Sequence, residues 1–306
     1  MCCIGIVLVL SKSSSRVIYC LSIGFLSMVV FVSVDMSKVI GELAQLPLEE
    51  SVKLVVRKFI APDFDRVFEV VNRVLCVAPH PDDCEFGVGG TIASLSRKGK
   101  RVYMVIATDG SLGTSDPAIA PQRLAEVRRQ EQEEAASVLG VEKVMWLGYR
   151  DGYMPYDKEA RTKLITLIRL LKPELVFAPD AWLPYEAHLD HRNTGLVTAE
   201  AVLFASLPHY TEENLITGLE PWHVSYIAFY YTSRPNTFYD ITDTIEVKLE
   251  ALKAHKSQVS SNWGYWEALL RYLAILYGKK IGVKYAEAFK LLPTSLLHAI
   301  PFTEIV

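Results

Sequence analysis

Two periodicities alternate along the chain. Short apolar runs at 74–79, 101–108, 143–147, 174–178 and 224–231 are rich in β-branched or aromatic residues and read as strands, several of them buried on both faces. Between them, residues 87–98, 121–139, 158–171 and 192–206 carry apolar positions at helical spacing. This alternation predicts an α/β fold: a Rossmann-like, mostly parallel sheet with helices on both faces. After residue 231 the alternation lapses. Ile245, Val247, Leu249 and Leu252 predict an amphipathic helix over 242–256, and further C-terminal helices are predicted over 263–291. Trp263, Trp266, Tyr272 and Tyr277 in that region suit either a core or a subunit interface. The second reading makes the protein a homo-oligomer.

The N-terminus does not share this pattern. Residues 17–34 form an uncharged run about long enough to span a bilayer. It reads as a signal anchor with Lys12 and Arg16 on the cytoplasmic side, or as a cleaved signal peptide without a clear small-residue cleavage site. A third reading places it upstream of a true start at Met36, after which the chain reads as ordinary globular protein. That reading is preferred and divides the chain into an apolar segment 1–35, a helical region 36–71 and one α/β domain over 72–306. The protein is then cytoplasmic; the anchor would make it membrane-attached.

Composition narrows the picture a little. A net charge of -3 gives no argument for nucleic-acid binding. Cys2, Cys3 and Cys20 lie in the N-terminal segment, leaving only Cys76 and Cys84 in the body. Two cysteines make no disulfide framework and fit a reducing compartment. Cys84 reads as a packed residue.

The chemistry gathers where apolar runs end. Val74–Ala78 runs into Pro79-His80-Pro81-Asp82-Asp83, and Leu175–Pro179 leads through a short loop to His188-Leu189-Asp190-His191. In open α/β sheets, ligands sit beyond the carboxyl ends of the strands. Asp near a helix start is commonly a cap, so the first cluster alone is ambiguous. With the second, two histidines and a carboxylate are available with an open position for water, the donor set of a catalytic zinc site. One of the adjacent aspartates is then free to act on water, and spacing does not say which.

Other loops at the same sheet edge offer Asp109, Asp151 and Tyr153 as substrate contacts, although Asp151-Gly152 equally suits a turn. His255 fits a helix-end or core histidine as well as a site residue. Gly87, Gly89 and Gly90 do not complete a dinucleotide-binding fingerprint, because Ile92 holds its last position. They read instead as letting the helix start near the metal loop.

These motifs resemble the LmbE-like (PIG-L) deacetylases. Pro79-His80-Pro81-Asp82-Asp83 and His188-Leu189-Asp190-His191 match, as do Arg128 with Glu131, and Asp240-Ile241-Thr242 with Ala254-His255-Lys256-Ser257-Gln258. The resemblance covers roughly 72–290. Within the family it points to the archaeal diacetylchitobiose deacetylases. It implies zinc held by His80, Asp83 and His191, with Asp82 as general base. It implies oxyanion stabilisation by His188, an orienting role for Asp190, and substrate holding or site ordering by Arg128. The implied reaction is hydrolysis of the N-acetyl group of N,N'-diacetylchitobiose or N-acetylglucosamine in chitin breakdown. A phosphatidylinositol-linked or bacillithiol-type substrate is the nearest alternative, and a non-catalytic sugar-binding protein is the alternative of another class. A separate base beside a full ligand set argues against mere binding.

Overall fold

A computed structural model of the chain describes residues 34–210 and 218–306, together with the backbone of 16–17. The expectations for the apolar segment 1–35 fall almost wholly outside these residues. Among the described residues, no helix is long and apolar enough to cross a membrane. The chain divides into two compact units, 1–62 with 305–306 and 63–304.

In the first unit, Met36–Leu43 (α1) and Leu48–Val55 (α2) are short helices, the second continuing into a π-helical turn over Val56–Ile60. In the second unit, Arg73–Ala78 (β1), Arg101–Thr108 (β2), Lys143–Tyr149 (β3), Leu175–Pro179 (β4) and Tyr226–Tyr230 (β5) lie parallel. Thr237–Asp240 (β6) and Ala286–Pro293 (β7) complete a seven-stranded sheet of order β3-β2-β1-β4-β5-β7-β6, its last two pairings antiparallel. Cys76 sits in register between Met104 and Phe177, all fully buried, which is why β1 is apolar on both faces.

The connecting helices are Asp83–Arg97 (α3), Pro121–Leu139 (α4), Lys158–Leu171 (α5) and Leu189–Phe204 (α6). Their ends follow local chemistry. Pro121 opens α4, and Gly140 closes it in the left-handed conformation at φ 73°. The Asp157 side chain accepts the Ala160 N–H to cap α5. Ile245–Ala254 (α7) and Trp263–Ile281 (α8) follow β6. The strand order reverses between β1 and β4, so the crevice outside their carboxyl ends is where such folds bind ligands.

Four expectations change. Residues 263–291 are helical only to Ile281; 286–293 form β7, whose antiparallel pairing helical spacing could not reveal. The strand β6 has no counterpart in the sequence reading. The helix expected from 87 starts at Asp83, so the two aspartates sit at its mouth. Cys76 and Cys84 are joined in a disulfide tying β1 to the first turn of α3, so Cys84 does more than pack.

The glycines of α3 serve close packing. A Cβ on Gly87 would come within 2.5 Å of the Tyr230 ring, and one on Gly90 within 2.8 Å of Ile241. They let β5 and the turn before α7 approach the helix rather than merely letting it begin.

Candidate active site

The loop after β1 and the first turn of α6 bring their polar groups together in the crevice. Asp83 Oδ2 lies 3.2 Å from His80 Nδ1 and 3.5 Å from His191 Nε2. A tetrahedral ion with bonds of about 2.0–2.1 Å separates its ligand atoms by about 3.3–3.4 Å, so Asp83 Oδ2 stands from each imidazole nitrogen at the spacing of one metal's donors.

Tautomer chemistry supports the same reading. Asp190 Oδ2 lies 3.0 Å from His80 Nε2 and accepts the Gly152 N–H, while its Oδ1 accepts the Met154 N–H. Asp151 Oδ1 lies 3.2 Å from the same imidazole nitrogen. With carboxylates around Nε2, the neutral ring carries its proton there and turns the Nδ1 lone pair toward Asp83 and His191. Two lone-pair atoms 3.2 Å apart need a cation between them, a metal ion or, without one, a proton on Nδ1. His80, Asp151, His188 and Asp190 also cluster, but their carboxylates are engaged in orienting His80.

The electrostatics agree. Burial opposes a charged imidazole, yet Asp151, Asp190 and Asp83 push His80 up to about 12. Burial likewise opposes ionised Asp83, but His191 and His80 hold it well below the usual carboxylate range. The cluster therefore stores negative charge suited to a divalent cation.

Asp82 has the opposite environment. Burial is the largest influence and raises it to about 6, Arg128 pulling it back and Asp83 pushing it further. Its φ of 104° lies in the left-handed region, a strained setting for a non-glycine residue. The surroundings hold it there: Arg128 donates to Gly110 O, Pro81 O and Asp82 Oδ2, and Gln132 Oε1 accepts the Asp82 N–H.

His188 caps α6, its Nδ1 accepting the Asp190 N–H. Burial, His80 and His191 lower its proton affinity. The neutral ring thus carries its proton on Nε2 and can donate it. His80, Asp82, Asp83, Arg128, Asp151, His188 and His191 all line one cavity of about 630 Å³. That volume lies within the range of small-molecule sites.

Two expected contacts lie elsewhere. Asp109 Oδ1 accepts the backbone N–H groups of Ser111 and Asp151, so it braces the loops and does not line the cavity. Tyr153 is exposed beneath the Arg150 guanidinium and does not line it either.

The sequence reading missed four residues. Tyr231 donates to Asp83 Oδ1 and stacks on His191. Glu186 accepts the His188 N–H, its other oxygen lying 3.8 Å from His191 Nδ1. Glu85 and Gln132 lie behind Asp82. Gln132 was detectable: it stands one turn from Arg128 on the buried face of an otherwise charged helix.

Residues 75–202 match the PIG-L family, described as GlcNAc-PI de-N-acetylase. The diacetylchitobiose deacetylase of Thermococcus kodakarensis is 44% identical over 240 residues, 78% of this chain and 90% of that protein. The chain belongs to the PIG-L deacetylase family. A second family member, the probable N-acetyl-alpha-D-glucosaminyl L-malate deacetylase 2 of Bacillus anthracis, is 29% identical over 62% of this chain and 83% of its own length. Among solved structures, the N,N'-diacetylchitobiose deacetylase from Pyrococcus horikoshii, complexed with its inhibitor MPG, superposes with a TM-score of 0.81 at 45% identity. That match covers 85% of this chain and 98% of the other. The seven-stranded sheet and its helices are thus those of a deacetylase, a hydrolase of N-acetyl amides.

Proposed function

We propose that this PIG-L deacetylase removes an N-acetyl group from N,N'-diacetylchitobiose or a related N-acetylglucosamine sugar in chitin breakdown, releasing acetate and a free amine. The observation that carries the proposal is the Asp82 carboxylate, held by Arg128 at 3.0 Å, beside the convergent donors His80, Asp83 and His191. The 44% identity to a diacetylchitobiose deacetylase supports the sugar assignment.

In this reading His80, Asp83 and His191 hold zinc, whose chemistry is to polarise a carbonyl and to make water more acidic. Asp82 accepts the proton of the attacking water, and a carboxyl raised to about 6 is well matched to that task near neutrality. His188 donates Nε2–H to the carbonyl oxygen as negative charge develops there. Asp82 then returns its proton to the amine nitrogen as the C–N bond breaks. Arg128 fixes the base, and Asp190 with Asp151 fixes His80. Tyr265, Tyr272, Ile275 and Leu276 are exposed on α8 and support a homo-oligomer, which light scattering of the purified protein would test.

The test is acetate release from diacetylchitobiose, N-acetylglucosamine and a phosphatidylinositol-linked N-acetylglucosamine, with and without chelator. Chelator-sensitive release from the soluble sugars is expected. Release only from the lipid would move the substrate to the other branch, and no release from any of the three by zinc-loaded protein would overturn the sugar assignment and point to another amide substrate or a binding role. Asp82→Asn is expected to retain zinc and lose about a hundredfold or more in rate. Asp83→Ala is expected to lose the metal. Metal loss from Asp82→Asn would overturn the division of roles.

A further inference from the structure

Behind Asp82 lies a buried polar chain that the reaction itself does not use. Gln132, wholly buried, reaches in two directions: its Oε1 accepts the Asp82 N–H at 3.0 Å and its Nε2 donates to Glu85 Oε1 at 2.6 Å. Glu85 is also wholly buried, and its Oε2 has no hydrogen-bond partner. Facing that oxygen is the ring of His255, whose Nε2 stands 3.7 Å away and whose two nitrogens have no hydrogen-bond partner among the described residues. His255 is itself fixed in place. It closes α7, and two residues on, Ser257 donates through N and Oγ to the Glu131 carboxylate at 2.7 and 2.6 Å.

A glutamine amide has one accepting end and one donating end. The Asp82 N–H requires an acceptor, and the Glu85 oxygen facing Gln132 is served by a donor. Only one orientation of the Gln132 amide meets both needs. Asp82 is strained at φ 104°, and strained backbone persists only where the surroundings over-determine it. Arg128 holds the Asp82 carboxylate and the Pro81 carbonyl from the front; Gln132 holds the amide from behind.

We propose that His255 and Glu85 are positioning residues for hydrolysis, acting through Gln132 to fix the left-handed backbone that aims the Asp82 carboxylate into the cavity. Glu85 sets the direction of the Gln132 amide. His255 occupies the side of Glu85 that would otherwise be free to turn away. The inference rests on Asp82 being the general base, but the backbone hold can be measured without any reaction.

The test uses the swap of the two end groups. Gln132→Glu removes the donor and sets two carboxylates against each other. Adding Glu85→Gln restores a donor to the pair and leaves an oxygen for the Asp82 N–H. Gln132→Glu is expected to lower kcat about tenfold to a hundredfold, with KM little changed and zinc still bound. The swapped double variant is expected to recover at least half of that loss on a logarithmic scale. In zinc-free protein, hydrogen exchange at the Asp82 amide is expected to quicken in Gln132→Glu and to slow again in the double variant. His255→Asn, a milder change should Gln132→Glu fail to fold, is expected to quicken the same exchange and lower kcat severalfold. No rescue by the swap, unchanged exchange, or a loss of kcat that merely follows zinc content would overturn the proposal. If Asp82→Asn left kcat intact while exchange behaved as described, the base assignment would fail and the backbone hold would stand.

Discussion

Glu287, on β7 and packed against α3, and Glu85, in the first turn of α3 itself, are both buried carboxylates, and each faces a basic group from α7 or its end. Their surroundings differ. Glu287 accepts from Lys248 Nζ at 2.5 Å, from the Gly90 and Thr91 N–H groups and from Thr91 Oγ1, while Lys248 also donates to Phe86 O. Glu85 receives Gln132 alone, and His255 stands off at 3.7 Å with neither nitrogen hydrogen-bonded. The first pair is saturated and its geometry is fixed. The second has slack and adjoins Asp82. A saturated buried pair locks a helix against a sheet, whereas a loosely held one leaves a neighbouring residue's position adjustable.

The largest effect should come from the saturated pair. Lys248→Met leaves Glu287 buried without its counter-charge, and unfolding in urea should show a loss of about 3–5 kcal/mol. A loss below 1 kcal/mol would mean that the backbone and Thr91 donors alone satisfy Glu287, and the contrast between the pairs would weaken.

The disulfide gives a charge-neutral control on the same helix. Cys76 and Cys84 close a short loop across the first turn of α3, next to Glu85. Chain-entropy arguments put the stabilisation from so short a loop at about 2–3 kcal/mol. Cys84→Ser should cost about that much in non-reducing buffer and nothing further when reductant is added. An equal stability of wild type and variant without reductant would show that the bond does not form in solution.

How much of this was legible beforehand follows from locality. His80, Asp82, Asp83, His188, Asp190 and His191 sit in two compact motifs at the ends of apolar runs, and strand-to-loop logic places such ends at one sheet edge. The division of labour between Asp82 and Asp83 was not legible from spacing, because it depends on φ 104° at Asp82 and on Arg128 arriving from α4. Asp109 and Tyr153 looked like contacts for the same positional reason, but loop geometry turned the Asp109 carboxylate to backbone N–H groups and left Tyr153 exposed. Tyr231 and Glu186 gave no signal, since each reaches the site through tertiary packing. The stretch 286–293 reads as a continuation of the helix because it is mostly apolar, with Glu287 and Lys290 interrupting it, and is too short for periodicity to distinguish the two.

The smallest effect should come from the loosely held pair, and it should depend on pH. His255→Asn removes no hydrogen bond, so its cost should be below that of Lys248→Met. Burial disfavours the His255 imidazolium, but Glu85, with Asp82 behind it, outweighs burial and the nearby Arg128, so its proton is held above the ordinary 6.5. A group raised in the folded state stabilises fully below its unfolded value, and that contribution is lost as pH rises through the folded value. The stability gap between wild type and His255→Asn should therefore be widest near pH 6 and should shrink as the solution becomes alkaline. Titrations of groups that do not interact with His255 cancel in the difference, while Asp82, whose carboxyl His255 also lowers, contributes to it. A gap that stayed constant from pH 6 to 9 on the order-of-magnitude scale of these costs would mean that His255 is neutral in the folded protein. It would then face Glu85 only as a packed ring, and the two buried pairs would differ in kind: one ionic, the other a carboxylate beside a neutral spacer.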